Sequence, residues 1–511
     1  MGGSTLFSIL NRLNSINANH SVSRNSTINA LFSRSYYIGK YSKSNLYSRI
    51  SPVGDPNISV VPLLDQWVDE GKKVRDLELQ RIIRDLRRRK RHKHALEVSE
   101  WMSNKGLCPF SSGDRAVQLD LIGSVRGLNA AESYFNYMSD QDKCDKTYGA
   151  LLSCYVREGL IDKSLSHVQK MKEMGFVSSN LTYNNLMGLY THVGMLEKIP
   201  NVLSEMKEDG ISPNNFSYRI CINSYGARSD IENMEKLLEE MESEPHISMD
   251  WSTYTMVANF YIKAGINEKA IAALKKAEEK IDKDALGYNN LISLYASLGN
   301  KSEVMRIWGL KKAALKKQIN RDYMTITGSL VKLGELEEAE ELLKEWESSC
   351  HLYDFRMPNI LLIGYSQKGL VEKAEAKLRE IVDKGKTPIP NSWGILAAGY
   401  VAKQKMEKAV ECMKEALALR AENMLWRPKP GVISSILSWL GDNGQVEEVE
   451  AFVSSLKEVV PMDREMYYAL IKANLRGGKE VDGILENMKT DKIDEDEELE
   501  KILSSRQEKA G

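Results

Sequence analysis

Tyrosines fall at Tyr148, Tyr183, Tyr218, Tyr254, Tyr288 and Tyr323, at spacings of 35, 35, 36, 34 and 35 residues. Glycines keep the same beat at Gly159, Gly194, Gly265, Gly299, Gly334 and Gly369, and alanines at Ala339, Ala374 and Ala409. Three residue types in step at one spacing mean an internal repeat. A repeat of this length means a stacked, quasi-linear fold, because one such unit cannot bury its own apolar face.

Each period reads as two helices. In "LTYNNLMGLYTHVGMLEKIPNVLSEMKEDGISPN", Leu186, Met187, Leu189 and Tyr190 mark one apolar helical stripe. Gly194 supplies a left-handed turn, and Leu196, Ile199, Val202, Leu203 and Met206 form the second stripe. Gly210 and Pro213 end that helix. Small residues midway along second helices (Ala270, Ala339, Ala374) allow close approach of the partner helix. The tyrosines and methionines are therefore assigned to core packing. Repeats are expected to start near residues 76, 112, 145, 180, 215, 251, 285, 320, 355, 390, 430 and 464. The repeat from Pro390 carries an insertion around "RAENMLWRPKP".

The 511 residues are 42% hydrophobic, enough for a core along the whole body, and contain no run long enough to span a membrane. The net charge of −1 hides a split. Residues 1–54 have no Asp or Glu but carry Arg12, Arg24, Arg34, Lys40, Lys43 and Arg49; removing those six from −1 leaves about −7 for the rest. This start is rich in Ser and Asn, and Leu6, Phe7, Leu10 and Leu13 share one face of a possible helix. Such a segment reads as an organelle transit peptide, mitochondrial with plastid as the alternative, and "RSYY" suggests cleavage after Tyr36. The expected organisation is a transit peptide over 1–36, a linker over 37–59, a capping helix over 60–75, the repeats over 76–490 and an acidic, solvated tail over 491–511.

Cys108, Cys144, Cys154, Cys221, Cys350 and Cys412 form no C-x-x-C pair and read as separate buried thiols. His92 and His94 sit in the basic run "RDLRRRKRHKH" and read as solvated. No P-loop, dinucleotide fingerprint or Ser/His/Asp grouping is found, so no enzyme activity, metal or cofactor is expected. The chain also lacks the H-x-E and C-x-x-C set of zinc deaminases.

The quoted period, with "ALGYNNLISLYASLGN", "LVKLGELEEAEELLKEW" and "GYSQKGLVEKAEAKLREIVDKGKTPIP", resembles the pentatricopeptide repeat from about Asp76 to the end. The 34-residue tetratricopeptide pattern places its Trp, Leu-Gly step and Pro differently. The resemblance implies an all-α, right-handed superhelical solenoid of about 12 helix-turn-helix repeats. It also implies binding of single-stranded RNA, one base per repeat, read by the fifth and last residues of each repeat. Carried onto this chain, the base-reading candidates are Asn184 with Asn214, Thr255 with Asp284 and Ser434 with Asp463. Asn289 and Asn359 are suitable fifth residues, but Ile319 and Ile389 close those repeats. The other fifth residues, Gln80, Ala116, Gly149, Arg219, Met324, Gly394 and Tyr468, fall outside the code. Arg88, Arg157, Lys263 and Lys332, before the mid-repeat turn, are the phosphate-contact candidates, with Lys90 standing where other repeats have Gly. Two functions follow from the resemblance: an organellar RNA-binding protein acting in RNA stability, processing or translation, or a scaffold on the mitochondrial ribosome that holds ribosomal RNA and proteins without a base code.

Overall fold

The computed structural model describes residues 45–419 and 426–504. The expected transit peptide and its cleavage position lie outside these residues, as does part of the "RAENMLWRPKP" insertion. All regular elements among the described residues are helices. The first helices of the hairpins begin at Asp76, Ser112, Asp145, Asn180, Asn215, Trp251, Ala285, Asn320, Arg356, Pro390, Pro430 and Arg464, each within one residue of the expected start.

The chain divides into two compact units, one ending at Ser178 and one beginning at Ser179. The first holds the short helices Leu46–Ile50 and Val61–Asp69 and the hairpins that open with Asp76–Arg88, Ser112–Arg126 and Asp145–Arg157. The second holds the nine hairpins from Asn180–His192 to Arg464–Arg476 and a terminal helix, Glu497–Ser504. Within each unit, most first helices pack beside the next first helix, and each second helix lies against its own first helix and in most hairpins against the next one. Apolar stripes that one hairpin leaves bare are thereby covered by its neighbour.

The turns explain the glycine beat. Gly159, Gly194, Gly265, Gly299, Gly334 and Gly369 all take φ between +68° and +85°. That left-handed turn is open to glycine without a Cβ clash. Ser229, at φ 61°, makes the same turn in the double gap between Gly194 and Gly265. Lys90 does so at φ 58° in the first hairpin, as its place in the repeat led us to expect.

The tyrosine beat has a cause that periodicity alone did not reveal. Tyr183, Tyr218 and Tyr323 bury their rings, yet each hydroxyl donates to an acid late in the second helix: Asp209, Glu240 at 2.7 Å and Glu345 at 3.1 Å. Tyr is therefore selected over Phe by a polar partner at the edge of the core.

Residues 45–59 differ from the expected linker. The helix Leu46–Ile50 buries both Leu46 and Ile50 completely. Its C-terminal carbonyls need donors that a helix of this length cannot supply. Arg91 supplies them, donating to Ser51 O at 3.0 Å, Ile50 O at 3.3 Å and Val53 O. Burial pushes the Arg91 guanidinium pKa down from its ordinary value. His94 is only 1% exposed, with Nε2 3.0 Å from Ile58 O and Nδ1 accepting from Arg91 Nε at 3.2 Å. The solvated reading of His94 is thus corrected: the end of the basic run clasps the N-terminal segment. The capping helix is Val61–Asp69, with the Trp67 ring flanked by Arg49 and Lys72.

The C-terminal end is corrected in the same way. Part of the expected solvated tail is the helix Glu497–Ser504, whose Leu499 and Ile502 close the core around Tyr467, Tyr468 and Ile471. Asp496 takes the Tyr468 hydroxyl and pairs with Arg464. All six cysteines are free; Cys154, Cys221 and Cys412 are buried as expected, whereas Cys108, Cys144 and Cys350 are partly exposed. Burial pushes the Cys221 and Cys412 thiols up to about 12, which leaves them unreactive at neutral pH.

Replacing Arg91 with Met is expected to free residues 45–59 while leaving the repeats folded. Hydrogen exchange should then speed up by at least about tenfold in Leu46–Ile50, the loss of one charge-assisted bond, with protection unchanged from Ser112 onward.

Candidate nucleic-acid interface

The fifth residue of each first helix occupies one register position along the layer of first helices. Three of these residues bond directly to the third residue of the following first helix. Gln80 Nε2 donates to Asp114 Oδ1 at 3.0 Å, Asn289 Nδ2 to Asp322 Oδ1 at 2.9 Å, and Asn184 Oδ1 accepts from Ser217 Oγ at 2.7 Å. Asp114, Ser217 and Asp322 are each the third residue of a first helix, where a capping-box side chain belongs. The residue that caps one helix therefore orients the fifth residue of the helix before it.

The candidate pairs meet this frame unequally. Asn184 and Asn214 are brought together: Asn184 Nδ2 lies 3.4 Å from Asn214 Oδ1, which also caps Ser217 N at 3.0 Å. Thr255 is buried and donates to Ser252 O at 3.1 Å. Asp284 accepts from Leu286 N at 2.8 Å and from the Trp251 indole at 3.1 Å, so a first-helix tryptophan occupies the acid assigned to Thr255. Ser434 donates to Glu465 Oε1 at 2.8 Å, while Asp463 caps Met466 N at 3.0 Å. Asn359 is 4% exposed and its Oδ1 has no partner within the protein. Two fifth residues outside the code are also tied down, Arg219 to Asp250 at 3.6 Å and Tyr468 to Asp496.

Asn289 is the most constrained. Its Oδ1 accepts from Lys311 Nζ at 2.6 Å, and Lys311 also pairs with Asp322 at 2.5 Å, both side chains being wholly buried. Burial opposes the charge on Asp322, but the Ile319 N–H, Lys311 and Asn289 together hold its carboxyl below the usual range. Both ends of the Asn289 amide are therefore engaged inside the protein. Sequence reasoning missed Lys311, because a lysine near the end of an amphipathic helix looks like any solvated one.

Each phosphate candidate stands at the end of its own first helix. Arg157 reaches back to Ser124 and Asp120 of the preceding first helix, and Lys332 donates to Ser297 at 2.7 Å in the same way. Lys263 lies over the Phe260 ring at 5.5 Å, and Arg88 is largely exposed beside Asp85. Charge is divided between the helix layers of the second unit. Its first helices carry Arg219, Lys263, Arg321, Lys332, Arg356, Arg464, Lys472 and Arg476 against only Asp322, Asp442 and Glu465. Its second helices are acid-rich: Leu336–Ser349 alone has Glu337, Glu338, Glu340, Glu341, Glu345 and Glu347 against Lys344. Lateral ion pairs such as Lys269–Glu235, Lys276–Glu242 and Lys373–Glu340 join these second helices.

Asp322→Ala should destabilise the second unit by about 3–5 kcal/mol, because it strands the Lys311 charge in the core. Adding Lys311→Met should recover most of that loss. Denaturant midpoints of the single and double variants check both outcomes.

The family model described as "PPR repeat" matches residues 146–176, 216–245, 287–311, 323–351 and 357–385, and the "PPR repeat family" model matches 178–227. A mitochondrial pentatricopeptide repeat-containing protein of Arabidopsis thaliana is 51% identical, over 94% of this chain and 98% of its own length. The large ribosomal subunit protein mL101 of Arabidopsis thaliana is 41% identical, over 91% of this chain and 95% of its own length. The crystal structure of the pentatricopeptide repeat protein PPR10 from maize aligns at 18% identity with a TM-score of 0.47, covering 88% of this chain and 69% of that one. A hairpin period that holds through twelve first helices, and relatedness that spans nearly the full length, place the chain in the pentatricopeptide repeat family.

Proposed function

We propose that this protein binds single-stranded RNA along its layer of first helices, in the mitochondrion, and acts in RNA stability, processing or translation by occupying a stretch of transcript. The observation that carries this reading is the division of charge in the second unit: first helices with eight Lys or Arg against three acids, beside acid-rich second helices. A polyanion is attracted to the first and repelled by the second. Asn184, buried and with its amide pre-oriented by Ser217, forms with the partly exposed Asn214 the pair best prepared to read a base edge. The mitochondrial assignment is supported by the acid-free start of the chain and by relatives named as mitochondrial proteins, with the plastid as the alternative. Such a protein acts sterically, by shielding RNA or holding it open, with no cofactor and no catalytic residue.

A second reading, a scaffold on the mitochondrial ribosome that contacts ribosomal RNA and proteins without a code, is favoured by one specific feature. Asn289, Arg219, Tyr468 and Ser434 spend their polar groups on neighbouring hairpins. The relative named as large ribosomal subunit protein mL101 is consistent with it.

Cross-linking in intact organelles, followed by sequencing of the attached RNA, separates the two. Short footprints on a few transcripts are expected for the first reading; reads confined to ribosomal RNA, with co-sedimentation on ribosomes, would replace it by the second. On a footprint RNA, Asn184→Ala is expected to weaken binding by about 1–3 kcal/mol and to relax selectivity at one base. Lys263→Gln should instead weaken binding to all sequences and lower the salt dependence by about one counterion.

A further inference from the structure

The first unit holds a cleft of about 250 Å³ that the repeat code does not explain. Arg84 and Arg87 of Asp76–Arg88 line it, together with Ser99 and with Ser111 and Gly113 at the start of Ser112–Arg126. The volume is below the roughly 300–1,000 Å³ of pockets for drug-sized ligands, so it suits a small group. Three features point to an anion. Arg84 is exposed and Arg87 is half-exposed, paired only with Asp120, which Arg157 shares. The first-turn N–H groups of Ser112 and Gly113 have no carbonyl to bond within their helix, and a Cβ built on Gly113 would meet nothing closer than Ser111 Oγ at 3.6 Å. Independently of the helix end, Ser99 is 1% exposed and its hydroxyl has no partner in the protein.

One group opposes an anion here. Asp114 lines the same cleft, and its carboxylate accepts from Ser111 N at 3.0 Å, Ser111 Oγ at 2.6 Å and Gln80 Nε2 at 3.0 Å. Those three donors disperse its charge. Arg84, Arg87 and Arg157 together outnumber Asp114 and Asp120.

We infer that this cleft receives the terminal phosphomonoester of a bound RNA strand. The inference rests on the RNA-binding reading above. A backbone phosphodiester has chain on both sides and would stay at the rim. A terminal phosphate has one substituent, carries up to two negative charges and can turn three oxygens inward, toward Arg84, Arg87, the Gly113 N–H and Ser99. The same chemistry would accept a free nucleoside monophosphate or inorganic phosphate, and the test separates these sources.

Fluorescence anisotropy with the full chain would compare short randomised RNA pools that end in phosphate or in hydroxyl, at the 5′ or at the 3′ end. One phosphorylated pool should bind about tenfold more tightly than its hydroxyl counterpart, the worth of one charge-assisted hydrogen bond. Arg84→Gln and Ser99→Ala should each erase most of that preference and leave binding of the hydroxyl pools unchanged. Equal binding of phosphorylated and hydroxyl pools would overturn the inference and leave the RNA-binding reading standing. Equal weakening of all pools by Arg84→Gln would also overturn it, since Arg84 would then be a backbone contact. If no pool binds, calorimetric titration with uridine 5′-monophosphate and with inorganic phosphate decides the cleft alone. Saturable binding that Arg84→Gln removes would support the cleft while the RNA-binding reading fails; no binding would overturn both.

Discussion

A helical hairpin of this period has more apolar surface than its two helices can hide from each other. Tyr183, Leu186 and Met187 on one helix and Val202, Leu203 and Met206 on the next are all buried, and part of that burial is supplied by the adjacent hairpin. Everything else in the structure depends on this shared burial. It fixes the packing of first helix on first helix and brings the fifth residue of one helix to the opening turn of the next. It also requires closure where a unit has no further hairpin to offer: Leu46 and Ile50 help in the first unit, and Leu499 and Ile502 in the second.

Polar contacts refine that packing at the same intervals. Tyr218 with Glu240 ties the two helices of one hairpin, and Gln80 with Asp114 or Asn289 with Asp322 ties one hairpin to the next. The Tyr218 and Gln80 bonds are only partly buried, and their partners are a helix-end acid and a capping residue already in place. The buried Lys311–Asp322 pair is the exception. Its charges are removed from water, and such a pair fixes geometry more than it adds stability. It also withdraws Asn289 from the surface, so one position that looks suited to reading a base is committed to holding two hairpins together.

Much of the fold was legible because repetition averages out local ambiguity. The boundaries near residues 251 and 320 follow from a tyrosine, a turn glycine and a small alanine recurring in step, each with its own steric reason. Where the chain departs from the repeat, that averaging fails. The helix Leu46–Ile50 is too short to show a period, and the helix Glu497–Ser504 is hidden in a charged run in which Leu499 and Ile502 are buried in the core. The candidate site was legible to the level of position. Fifth residues can be counted along the chain, but whether their polar atoms are free depends in most cases on a partner in another helix.

The sequence by itself determined the helical hairpin, its turn and its number of copies, because these depend on side-chain size, backbone freedom and apolar spacing within one period. It also determined the division of charge between first and second helices, since each helix carries its own acids and bases. Only the tertiary structure decided that Arg91 and His94 hold the N-terminal segment, that Lys311 is buried, and that Arg84, Gly113 and Ser99 meet in one cleft. The physical reason is that hydrogen bonding, desolvation and charge pairing act over a few ångströms of space, and the residues they join here stand far apart along the chain.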